Sequence, residues 1–386
     1  MNKKIILIIF ITLFMLTGCY DYKELNNIAI ISATEISKKN DEFVVKAHVI
    51  NPHAPDKTTI TETPFIIYTG YGKTLQEAYR KITSSSTKFL YSNHLQILII
   101  NESVAKENLK DIVDFFARNP SIRTEFYVLI GKNDNILNII TPGSITSSNI
   151  KKILETNQEY LGTSRIVTFN EFLNMYLDKH KEIVLPSIEA INYNKESENI
   201  KNTEKSNLTN KYQLSNLAIF KSNKLIGYLN DEESLTYNII KNKLKNSILT
   251  YQCQKDKYLT LEIIDSKANI KSKENKLFID IDMKTNLNEI QCNININNNN
   301  ILNKLKKDIE IYLSNNIYKN INNIRQNYNS DIFEFIDIIY KHNNNYYQKV
   351  NKEWYQNKYK EIEIIINTNI EIIEKGKILE IINEKN

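Results

Sequence analysis

Glycine is scarce in this chain: eight residues in 386, alongside six prolines, three cysteines and one tryptophan. Each shortage removes a class of chemistry. Gly70-Tyr71-Gly72 follows a strand-like run and precedes a helical one, but it lacks the third glycine of a dinucleotide loop. Neither a phosphate-cradling GxxxxGK[ST] nor a GxSxG nucleophile elbow occurs, and Ser84-Ser85-Ser86 has no flanking glycines. Without a CxxC pair, thioredoxin-like and zinc-ribbon sites are excluded. The five histidines form no HExxH or HxH spacing, so no metal site and no cofactor is expected. His48 and His53 flank Asn51-Pro52 and read as surface or capping residues at a strand end. Glu232-Glu233 reads as a pair of helix-start charges, not an acid–base couple. No catalytic residue is assigned, and the chain is not read as an enzyme.

Charge is equally uninformative about nucleic acid. The net charge is +5, with basic residues interleaved among acids, so no nucleic-acid partner is expected. Hydrophobic residues make up 41% of the chain, enough for ordinary cores. The 23 tyrosines fit either a protein-contact surface or the compositional drift that also gives the Asn297–Asn300 run.

What is present begins at the N-terminus. Asn2-Lys3-Lys4 is a positive n-region, and Ile5 to Met15 an apolar h-region of leader length. Leu16-Thr17-Gly18-Cys19 then reads as a lipobox, in which the Cys19 thiol takes a diacylglycerol before the leader is cut away. The apolar run is shorter than the ~20 residues of a membrane span. Residues 1–18 are therefore read as a signal peptide, Cys19 as the lipidated residue, and the rest as an extracytoplasmic, membrane-tethered body. Outside that membrane a disulfide between Cys253 and Cys292 is permitted, but two half-buried thiols fit the spacing as well.

The body reads as α+β, in two to three domains, each a mixed or antiparallel sheet flanked by helices. Strands are expected at Ile28–Ile36, Phe43–Ile50, Phe65–Gly70, Leu95–Ile100, Glu125–Ile130 and Ile183–Ile191. Helices are expected at Thr74–Ile82, Glu102–Ala117, Asn133–Ile140, Ser148–Glu155 and Thr168–Leu177. Thr74 with Glu77 forms a capping-box pattern. Residues 194–211 carry almost no apolar side chain except Ile200 and Leu208, and read as a linker or long loop between an N-terminal region, 19–193, and a C-terminal domain, 212–386. The second unit opens with a hairpin at Ser215–Phe220 and Lys224–Tyr228. A helix from Asp231 follows, then four strands between Ile248 and Asn295 and a long helix at Ile301–Ile324. Shorter helical runs at Asp331–Lys341 and Tyr346–Tyr355 lead to a closing strand at Glu361–Ile373. Arg118 and Arg123 frame Asn119-Pro120-Ser121-Ile122, where a structural role in the loop is favoured over ligand binding.

Taken in order, these residues resemble a known family. The pattern is Cys19-Tyr20-Asp21-Tyr22-Lys23-Glu24-Leu25-Asn26, then Gly72 to Ile82, Asn93-His94-Leu95 and Ala105-Lys106. After them come Asp114-Phe115-Phe116-Ala117-Arg118-Asn119-Pro120-Ser121-Ile122-Arg123, Asp331-Ile332-Phe333-Glu334-Phe335, Trp354 and Glu374-Lys375-Gly376. The chain resembles the Ger(x)C family, the lipoprotein C subunits of spore germinant receptors. It departs at Tyr20, where family members commonly carry Trp, and at Asn119, where they often carry Asp. The resemblance implies a non-enzymatic subunit in the spore inner membrane, beside A-type and B-type integral-membrane receptor subunits. It also implies three α/β-type domains. The alternative is an extracytoplasmic solute-binding lipoprotein of a transporter, which the lack of repeated βα alternation in the second half argues against. A lipid-anchored envelope enzyme would need a nucleophile or metal cluster that the sequence does not show.

Overall fold

A computed structural model describes residues 27–51, 63, 65–141, 145–199, 201–202 and 211–374. The leader, Cys19, His53 and half of the expected linker lie outside the described residues. Two sheets carry the fold.

The first sheet opens with three antiparallel strands, β1 (Ile28–Lys39), β2 (Glu42–Ile50) and β3 (Phe65–Gly72). The β1–β2 turn places Asn40 and Asp41 at positive φ, 50° and 62°. Asn and Asp tolerate that region better than other side-chain-bearing residues, and here they stand where glycine would otherwise be used. Helix α1 (Leu75–Ile82) lies directly on β3. A Cβ on Gly70 would sit 2.0 Å from the Ala78 carbonyl oxygen, and one on Gly72 2.6 Å from the Ala78 nitrogen. Gly70-Tyr71-Gly72 is thus a packing device and not a ligand loop. Thr74 caps α1 as expected, accepting from the Glu77 N–H, but the returning Glu77 carboxylate takes the N–H of Lys73.

A short strand, β4 (Phe89–Tyr91), pairs in parallel with the first residues of β1. Strand β5 (Ile97–Asn101) is parallel to β1 on one side and to β6 (Tyr127–Gly131) on the other. All five β5 residues are buried because helices cover both faces. Leu98 and Ile100 join the core beneath α1, while Ile97 and Ile99 join the opposite one. The helix expected over Glu102–Ala117 is two, α2 (Glu102–Glu107) and α3 (Lys110–Arg118). Asn108 breaks it: its backbone is extended and its side chain caps the next turn by accepting from Lys110 N–H at 2.8 Å.

Helix α4 (Thr146–Tyr160) covers the second face, and α5 (Phe169–Leu177) returns to the first. The helix expected at Asn133–Ile140 is only a 3₁₀ turn, Ile136–Asn138. The buried Glu35 carboxylate holds it by accepting from the N–H groups of Asn135 and Leu137, at 2.8 and 3.1 Å.

Strand β7 (Val184–Ile191) pairs in parallel with β6, and β8 (Lys211–Lys221) with β9 (Lys224–Tyr228) continue the sheet antiparallel. The order is β3-β2-β1-β5-β6-β7-β8-β9. The β8–β9 hairpin, read as the opening of the second unit, pairs onto β7 and so completes the first sheet. The start of the expected linker is also packed. Asn194 caps a 3₁₀ turn at Lys195–Glu198, and buried Asn202 donates to the Ile140 carbonyl at 2.8 Å. Polar composition concealed this because its side chains bond backbone instead of burying apolar area.

The chain enters the second unit through α6 (Asp231–Ile240). Three long strands, not four, follow: β10 (Ser247–Gln254), β11 (Lys257–Lys273) and β12 (Lys276–Ile290), all antiparallel. Helix α7 (Asn299–Tyr328) packs its Leu305, Ile309, Leu313 and Ile317 stripe on one sheet face. Helices α8 (Phe335–His342), α9 (Asn344–Val350) and α10 (Tyr359–Glu361) lead to β13 (Glu363–Glu374), parallel to β12. Val184, Leu217 and Ile219 of the first sheet belong to the same core as α7. Cys253 and Cys292 are joined as a disulfide, with Cα atoms 6.3 Å apart.

Candidate functional site

Two polar regions stand out, one sealed and one open. The sealed region is the joint between the units. Arg165, in the loop before α5, is buried and donates to the Tyr237 hydroxyl at 2.7 Å and to the Glu171 carboxylate. Asn238 of α6 donates to the carbonyls of Gly162 and Ser164, at 2.7 and 3.1 Å. Ser330 donates to the Phe220 carbonyl at 2.6 Å, and Tyr328 to that of Tyr228 at 2.9 Å. Gly227 lets this contact close, since a Cβ there would lie 2.5 Å from the Tyr328 ring.

Asp331, next to Ser330, sits just inside the second unit. Its carboxylate accepts from the N–H groups of Phe335 and Ile336, at 3.0 and 2.8 Å, and from the Trp354 indole at 3.1 Å. Burial still pushes its pKa up to about 6, against these bonds and the Lys241 charge. Lys241 pairs with Glu334 at 2.8 Å, and Glu334 holds a positive φ of 61°. The Asp331–Phe335 motif and Trp354, far apart in sequence, therefore form one hydrogen-bonded unit. Arg325 completes it by donating to the carbonyls of Tyr359 and Ile362, at 2.8 and 2.9 Å.

The open region lies where β1 begins. A groove of about 730 Å³ runs between α1, β4 and the loop after α3, and its lining includes Ile28, Tyr79, Arg80, Phe89, Tyr91 and Asn119. Arg118 lines its continuation with Asp114 and Phe115. The Arg118 guanidinium pairs with Asp114 on its own helix at 2.6 Å, and Arg123 is exposed on the loop. Asn119 fixes that loop: its side-chain oxygen accepts from Ser121 N–H at 3.1 Å and from the Ser121 hydroxyl at 2.7 Å. Asn119 departs from the family pattern, and its Asx-turn spacing to Ser121 is the sequence signal for this role.

His48 is corrected by the structure. It is wholly buried, its ring tilted 33° against that of Phe65 with centroids 3.8 Å apart, and its Nδ1 lies 3.1 Å from the Ser32 hydroxyl. Burial pushes its pKa down to about 3, so the imidazole is neutral. His180 bonds the Tyr347 hydroxyl at 2.9 Å and ties the loop after α5 to α9. Among the described residues, no group of three or more His, Cys, Asp or Glu side chains is placed to hold a metal ion.

Comparison with known proteins decides the identity of the frame. A model described as the spore germination protein N-terminal domain matches residues 21–190. One described as spore germination B3/GerAC like, C-terminal, matches residues 215–376. The chain belongs to the Ger(x)C family. Spore germination protein KC of Bacillus subtilis (strain 168) is 25% identical, over 89% of this chain and 88% of its own. Spore germination protein B3 of the same organism is 23% identical, over 90% and 91%. Spore germination protein GerQC of Bacillus cereus is 23% identical, over 79% and 81%. The crystal structure of the GerBC protein shares the fold, with a TM-score of 0.56 at 18% identity over 88% of this chain and 96% of that one. The Ger(x)C frame thus holds a sealed joint and an open groove beside its first strand.

Proposed function

We propose that this Ger(x)C chain is a non-enzymatic, lipid-anchored subunit of a membrane germinant receptor that acts in spore germination. The observation that carries the reading is positional. A lipobox ending at Cys19 stands immediately before a body matched to spore germination proteins from residue 21 onward. In this reading the Cys19 thiol carries a diacylglycerol, whose two chains give the stable hold that one acyl chain does not. The body then lies on the outer face of the cell or spore inner membrane, beside A-type and B-type integral-membrane subunits. The sealed joint supports a scaffold role: Arg165, Asn238, Tyr328 and Ser330 are spent on hydrogen bonds between the two units, and Asp331 and Arg325 on the core of the second.

The test is Cys19→Ala in the native spore. Germination in response to nutrients should be lost while vegetative growth stays normal, and the variant protein should lack diacylglycerol. Normal germination by spores carrying the unlipidated chain would overturn the reading.

A further inference from the structure

The groove beside the first strand opens where the described chain begins. Ile28, the first residue of β1, lines it together with Tyr79, Arg80, Phe115 and Ile122. Ile28 is also where the sheet's pairing starts: β4 joins β1 from that residue onward, and β2 joins it only from Ile31. Seven residues, 20–26, separate Cys19 from Asn27, the first described residue. They reach about 25 Å at most, so this segment has the groove within range over its whole length.

The two chemistries match. Tyr20, Tyr22 and Leu25 give the segment apolar bulk, Asp21 and Glu24 are its acids and Lys23 its base. The groove offers rings and a cation. Tyr79 and Phe115 stack there with centroids 4.9 Å apart. Arg80 is exposed and, among the described residues, has no carboxylate partner, because Glu77 is taken by Lys81 and Asp114 by Arg118. The family match points the same way. The N-terminal domain model begins at residue 21, inside the segment, and not at β1. A plain spacer needs only length and flexibility, so a segment that is matched as part of the domain has more to do than span a gap.

We propose that residues 20–26 dock in this groove, with Tyr22 and Leu25 against its apolar lining and Asp21 and Glu24 toward Arg80. Burial of the apolar side chains drives the seating, and the charges at the rim add a modest, salt-sensitive bias. The docking itself does not require a lipid. Its consequence rests on the lipid-anchor reading: a seated segment holds the body at a set angle to the bilayer, where a loose one would let it swing.

The experiment uses the mature chain with Cys19→Ala, so that lipid plays no part, and Tyr22→Trp as the reporter. Trp354 is buried and gives a shielded background. A segment seated in about four molecules of five lowers acrylamide quenching about fivefold, relative to a free peptide of residues 19–27 carrying the same Trp. Adding Leu25→Asp should return quenching to near the peptide's value. Adding Arg80→Glu should raise it about twofold in low salt. Circular dichroism checks that each variant is folded. A reporter quenched as readily as the peptide overturns the docking and leaves the groove to another chain. Shielding that neither Leu25→Asp nor Arg80→Glu moves overturns it too. The lipid is read separately, from the mass of the Cys19 peptide of the native chain. An unmodified Cys19 beside a shielded reporter would sink the anchor and keep the docking.

Discussion

At the joint, Arg165, Asn238, Asp331 and Arg325 are buried and bonded largely to backbone and ring groups, whereas at the groove end Arg80, Arg118 and Arg123 are exposed. The polar side chains have opposite uses. Inside the joint each hydrogen bond replaces one lost to water, so removing a partner strands a buried donor or acceptor. At the groove end water already satisfies the charged groups, so their removal costs the fold little. Polar side chains therefore stabilise the fold where they are buried, and at the groove end they leave it almost unaffected.

The largest way to break this contrast is Asp331→Ala. It strands two backbone N–H groups and the Trp354 indole, and should cost about 4 kcal/mol in urea unfolding, by the usual penalty for breaking buried charged networks. A cost below ~1 kcal/mol would mean that this buried network does not hold the second unit beside the joint.

His48 gives a pH signature to the first sheet. Its folded pKa, about 3, lies below the unfolded 6.5. Its contribution to stability is therefore complete above pH 6.5 and is lost as pH falls toward 3. At pH 4 the loss is about 3 kcal/mol. His48→Gln should flatten the decline between pH 6.5 and 4 relative to the parent, measured by urea midpoints at each pH. Asp331 runs the other way. Its pKa is raised, so its share of stability is present below pH 3.8 and lost as pH rises through 6. Asp331→Asn should therefore remove a term that opposes that of His48.

Gly227→Ala tests the close approach of β9 to Tyr328, and overpacking there should cost about 1–3 kcal/mol. At the groove end, Arg123→Ala should change stability by less than about 0.5 kcal/mol. Equal costs for these last two variants would erase the distinction between joint and edge.

Much of the frame was legible in the sequence because hydrophobic periodicity survives a biased composition. Strands β1, β2, β3 and β9, and the long helix α7, follow their apolar patterns closely. What failed was set by tertiary contact. Asn108 splits a continuous apolar stripe through its own side-chain bond to Lys110. Glu35, a hundred residues away, replaces the expected helix at Asn133–Ile140 with a single turn. The β8–β9 hairpin was recognised as a hairpin, with Ser222 and Asn223 at positive φ, but no local signal says which sheet it joins. The groove-end basic residues were visible only as Arg118 and Arg123. Arg80 joins them through the fall of α1, which periodicity does not encode. His48 reads as a strand-end residue because Asn51-Pro52 follows closely, whereas the strand runs to Ile50 and Phe65 on β3 covers the imidazole.

The most direct measurement is co-purification of the tagged chain from dormant-spore membranes, with mass spectrometry of both partners and the Cys19 peptide. Recovery of two integral-membrane germination subunits together with a diacylglycerol-modified Cys19 is the expected result. A chain present in growing cells, absent from spores and free of membrane partners would contradict the receptor-subunit assignment.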